Sequence, residues 1–174
     1  MKLRLIDPER LIPDAHVAAE ASVRGVEALV IQHLRDKNDA TQPNRYGLPK
    51  SNYYAEASNN VSAGVAGNKV NVEIDHPGIS LHYEGGTVYP TGGKKNIAIP
   101  IDPAVAGIWP SEFDPTPKHE KTFVTPGGAI GEKETGKILY ILLPKATIPE
   151  DKTVLPTDNE IFGAVENALM EAVS

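Results

Sequence analysis

The chain has no cysteine, which excludes disulfides, thiolate metal ligands and cysteine nucleophiles, and suits a reducing cytosol. It has no apolar run near the roughly 18 to 20 residues that cross a bilayer. Its opening, MKLRLIDPERLIPD, carries basic residues but no continuous apolar core, so neither a membrane span nor a secretory signal is expected. Bases are outnumbered, 17 Lys and Arg against 23 Asp and Glu, for a net charge of −6. General attraction to nucleic acid or to an anionic membrane is therefore not expected, although a local basic patch is compatible with this balance. There is a single tryptophan, Trp109.

The remainder is ordinary for a globular chain. An apolar fraction of 40% and a charged fraction of 23% over 174 residues suit one domain, 1–174, large enough to bury a core.

Local pattern suggests the elements. A short extended start at Leu3 to Ile6 leads to Pro13 and Asp14, and the Asp14 carboxylate can cap a helix. From Ala15 to Asp36 there is no proline, and Val23, Val26, Val30 and Leu34 form one apolar stripe. Gly25 weakens this helix or marks a close neighbour. YYAEAS (Tyr53 to Ser58) reads as a short helix or a strand entry. Val61–Ala66 and Lys69–Ile74 flank Gly67-Asn68, a hairpin signal, and Val70, Val72 and Ile74 alternate with polar residues.

Gly85 and Gly86 permit a bend with positive φ. Gly92-Gly93 would tip a hairpin between Thr87–Tyr89 and Asn96–Ile101, with an extended loop around 84–96. Pro100 marks a sheet edge, a bulge or the end of the ladder. Four prolines make 102–118 a loop around Trp109, with a turn or two near Ala104 to Ile108. Phe123–Thr125 and Lys137–Leu143 read as the last strands, with glycines breaking the connection between them. Thr157 to Glu160 is a capping box ahead of Ile161, Val165, Leu169 and Val173 at four-residue spacing. The expected fold is α+β, with a long N-terminal helix and a C-terminal helix packed on a twisted antiparallel β-sheet.

Reactive constellations are sparse. His76 and His82, with Asp75 and Glu84 nearby, are the nearest approach to a metal pair. No compact third and fourth ligand accompanies them, and a turn histidine is the ordinary alternative for His76. The lysines after Gly92-Gly93 lead into a strand, not a helix N-terminus, so the phosphate-loop pattern is absent. Ser80 and His82, two apart on an expected strand, share a face without defining a triad. Tyr53, Tyr54, Tyr83, Tyr89 and Trp109 are candidates for an interface, because such side chains bring large area and a polar handle.

The stretches QPNRYGLPKSNYYAEA (Gln42 to Ala57) and IDHPGISLHYEGGTVYPTGGKKNIAIPI (Ile74 to Ile101), after a helix ending in HLRDKN, resemble the virion morphogenesis, or tail-completion and head–tail joining, proteins of tailed phages and prophages. The resemblance reaches roughly to Pro110 and fades afterwards. It implies a non-enzymatic virion protein, assembled in the host bacterial cytoplasm, with no cofactor and no catalytic residue. The implied partners are further copies in a ring, hexameric by resemblance, and the adjoining neck or tail-tube proteins, with DNA passing the lumen unbound. His76, Gly85, Gly86, Lys94, Lys95 and Pro100 fall on matching motif positions and are expected at the contact between copies, with Tyr89 and Trp109 beside them. The alternative is a small metal-dependent hydrolase using His76 and His82. A module that binds a peptide strand at the sheet edge is a third reading.

Overall fold

The computed structural model describes residues 15–43, 46–66, 69–116 and 118–172. The extended start at Leu3–Ile6, the cap at Asp14, the Gly67-Asn68 turn and Val173 lie outside the described residues. The expected α+β class is present, with N- and C-terminal helices and antiparallel sheets. The chain divides into two compact units, one from 1–40, 52–83 and 151–174 and the other from 41–51 and 84–150.

The first unit is built around α1 (Ala15–Ala40). Its stripe does what the spacing requires: Val26, Val30 and Leu34 are buried with Tyr54, Ala57 and Val154. Tyr54 and Ala57 come from α2 (Tyr53–Ser58). Strands β1 (Val61–Ala66) and β2 (Lys69–Ile74) pair antiparallel, Val61 opposite Ile74, and Val70, Val72 and Ile74 pack on the same core. Residues 79–84 form a helix, α3 (Ile79–Glu84). This corrects the strand expected at Ser80 and His82, since Ile79 and Tyr83, four apart, both reach the core.

The C-terminal helix α5 (Asp158–Ala172) opens with the expected box: Thr157 N donates to Glu160 Oε2 at 2.7 Å, and Glu160 N to Thr157 Oγ1 at 3.4 Å. It packs on α1 where Gly25 removes a side chain. A Cβ there would stand 2.8 Å from Ala168 Cβ and 2.9 Å from the Ala164 carbonyl oxygen. Helix propensity alone favours Gly25→Ala by about 1 kcal/mol. The clash is with a Cβ and a backbone oxygen, neither of which can swing away, so overpacking of about 1–3 kcal/mol wins. Gly25→Ala is expected to lower the urea midpoint; a raised midpoint would show that α5 sits farther from α1.

The second unit holds two sheets. β3 (Gly86–Val88) pairs with β8 (Ala146–Ile148). β4 (Ile97–Pro100), β5 (Thr122–Val124), β6 (Ala129–Glu132) and β7 (Ile138–Leu143) form an antiparallel sheet in the order β4-β7-β6-β5. The expected hairpin between Thr87–Tyr89 and Asn96–Ile101 is therefore incorrect. Gly92 and Gly93 do take positive φ, 62° and 74°, but the two flanking segments pair elsewhere. β7 is a central strand, paired with β4 on one edge and β6 on the other. Pro100, opposite Tyr140, lies on an edge strand as expected. β6 and β8 were not expected, because glycines masked β6: Gly131 sits at a register shift and carries the Phe123 ring directly on its Cα.

Val105, Leu139 and Tyr140 form the buried core of this unit. The proline-rich stretch holds a 3₁₀ turn (Pro103–Val105), capped by Asp102 through Ala104 N at 3.0 Å, and a one-turn helix, α4 (Pro110–Phe113). Tyr140 Oη donates to the Ile108 carbonyl at 3.0 Å, tying the loop to the sheet.

Candidate functional site

In the second unit, the face of the four-stranded sheet opens into a groove of ≈ 870 Å³. Each strand contributes apolar surface: Ile97 from β4, Phe123 and Val124 from β5, Ile130 from β6, Leu142 from β7. Four lysines line the same space, Lys94, Lys95, Lys118 and Lys133, all exposed, while among the described residues no Asp or Glu lines it. On a chain of net charge −6, this is a local reversal of sign.

Local chemistry sets the groove. Gly92 and Gly93 turn the chain left-handed, with Lys94 N donating to the Thr91 carbonyl at 3.2 Å, and this presents Lys94 and Lys95. Trp109 stands at the entry to α4, where its N–H donates to Glu112 Oε2 at 2.9 Å and Pro110 starts the helix. The residue stays 60% exposed, and Lys94 Nζ lies 5.8 Å from the ring centroid, within cation–π reach. Lys133 Nζ donates to the His119 carbonyl at 2.8 Å. His119 itself holds φ at 48°, a conformation uncommon outside glycine.

Beneath the groove, Asp114 organises the connection into β5. Its carboxylate accepts from Thr122 N at 2.9 Å, Thr122 Oγ1 at 2.8 Å, Lys121 N at 3.1 Å and Thr116 Oγ1 at 2.6 Å. Burial pushes its pKa upward, but the hydrogen bonds to Thr116, Thr122 and Lys121 outweigh that and bring it down to about 2.

Of the eight residues expected at a contact between copies, Tyr89, Lys94, Lys95 and Trp109 line this one groove. Gly85, Gly86 and Pro100 act on the backbone instead. Gly85, at φ 73°, lets Glu150 approach, Gly86 opens β3, and Pro100 ends β4 at the sheet edge. His76 belongs to the first unit. Lys118, Lys133 and the apolar wall were not expected. No local pattern announces them: they come together through strand order and register.

His76 and His82 both pack on Tyr53, each ring centroid 4.6 Å from the phenol ring. Tyr53 Oη donates to the Pro77 carbonyl at 2.9 Å, and His82 Nδ1 lies 3.2 Å from Tyr54 Oη. Burial lowers the His82 pKa, with Asp151 opposing. Among the described residues no three His, Asp or Glu side chains are placed to share a metal ion. No described helix is long and apolar enough to cross a membrane.

Comparison with protein-family models, with curated proteins and with solved structures returns no match.

Proposed function

We propose that this chain is a non-enzymatic structural protein of a tailed-phage or prophage virion, assembling with copies of itself into a ring at the head–tail neck or tail end. Its neighbours would be neck or tail-tube proteins, and DNA would pass the ring without specific binding. The observation that carries this reading is the convergence of Tyr89, Lys94, Lys95 and Trp109 on one groove. A concave apolar surface with exposed aromatic anchors and a polar margin has the make-up of a protein-binding surface. The sheet also ends in an edge strand, β4, and an edge strand is of the kind a neighbouring chain can pair with.

The test is imaging of particles from the encoding phage or prophage with this gene deleted. Full heads detached from finished tails would place the protein at the joint, and unfinished tails would place it at the tube end. Complete virions would overturn the proposal.

A further inference from the structure

Helix α5 presents two ridges. Ile161, Val165 and Leu169 are half-buried, whereas Asp158, Phe162, Glu166 and Met170, also four apart, are exposed. Residues at this spacing lie one above another on a helix. The outer ridge thus alternates acid and large apolar side chain for about 18 Å. Phe162 is 68% exposed and Met170 60%, a high exposure for such large apolar groups. The helix holds Asp158, Glu160, Glu166 and Glu171 and no lysine or arginine. The groove on the four-stranded sheet is the converse, with four lysines, an apolar wall and, among the described residues, no carboxylate.

We propose that this groove takes the outer ridge of α5 from a second copy of the chain. Phe162 and Met170 would lie on the apolar wall against Trp109, and Asp158 and Glu166 would meet the lysines. The proposal rests on the ring reading above and names its contact. The argument is complementarity in both respects at once: the exposed acidic, apolar ridge and the exposed basic, apolar groove are carried by one sequence. A contact joining two different surfaces of identical subunits propagates head to tail, and closes into a ring when its rotation divides a full turn. It also explains why an acidic protein keeps four lysines together: they select the acidic ridge and repel another basic groove.

Charge exchange between variants tests this. Lys94→Glu/Lys95→Glu breaks the groove, and Glu166→Lys breaks the ridge. All three are exposed positions, and unchanged circular dichroism and melting will confirm that both variants fold. Sedimentation velocity across a concentration series compares them with wild type. Wild type is expected to self-associate more weakly as salt rises. Each variant alone should lose affinity by at least about tenfold, and an equimolar mixture of the two should recover it. If both variants associate as wild type does, this docking is wrong while the ring reading stands on another contact. If wild type stays monomeric at every concentration and salt, the docking and the self-assembly reading fall together.

Discussion

Leu34→Ala is expected to cost about 2–5 kcal/mol of stability, the range for truncating a fully buried leucine. Leu34 is 0% exposed and sits at the last turn of the apolar stripe of α1, with Tyr54, Ala57 and Val154 in the same core. Truncation removes the transfer free energy of the lost methyls and leaves a cavity. The surrounding groups come from α2, the β1–β2 pair and a second 3₁₀ turn, Lys152–Val154, and they cannot all move in to fill it. Urea unfolding followed by far-ultraviolet circular dichroism reads the loss. Leu34→Met, close in volume, should cost less than about 1.5 kcal/mol. If the alanine variant falls by no more than the methionine one, Leu34 does not occupy the centre of this core.

The second large effect is expected at Asp114, which is 1% exposed. Asp114→Ala strands four donors: the Lys121 and Thr122 amides and the Thr116 and Thr122 hydroxyls. A buried donor left without a partner costs more than an average hydrogen bond contributes. The expected outcome is loss of hydrogen-exchange protection at Lys121 and Thr122 and an early unfolding transition of the second unit. The pH dependence has a definite sign. Because the folded carboxyl titrates at about 2 against an ordinary 3.8, its contribution is complete above 3.8 and disappears as pH falls toward 2. Asp151, held at about 2 first by the Lys37 hydrogen bond and then by Thr153, acts in the same window. Asp114→Asn should therefore remove part of the acid sensitivity of wild type, not all of it. An unchanged acid limb would mean that Asp114 is not held as its geometry indicates.

Much of the first unit was legible in the sequence because its signals are local. The α1 stripe follows the 3.6-residue period, β2 alternates cleanly, and Thr157 to Glu160 reads directly as a capping box. Gly25 was open to two readings, and the approach of Ala168 decides between them. What was not legible depends on distant pairing. Nothing near Gly86 announces Ile148 as its partner, and Gly131 disguised β6 because a glycine within a strand resembles a turn. Four residues of the candidate site, Tyr89, Lys94, Lys95 and Trp109, were marked by residue type and motif position. Lys118, Lys133 and Leu142 join them only through the β4-β7-β6-β5 order.

That order turns scattered side chains into one surface, and Trp109 offers a direct readout of it. It is the only tryptophan, it lines the groove, and it is 60% exposed in the single chain. Its fluorescence can be followed without a label from the dilute protein into the associated state. The account predicts a water-exposed emission at low concentration, a shift to the blue as copies associate, and loss of both shift and association in Lys94→Glu/Lys95→Glu. An associated state in which Trp109 still emits as it does in dilute solution would contradict the claim that the groove is where another chain is held.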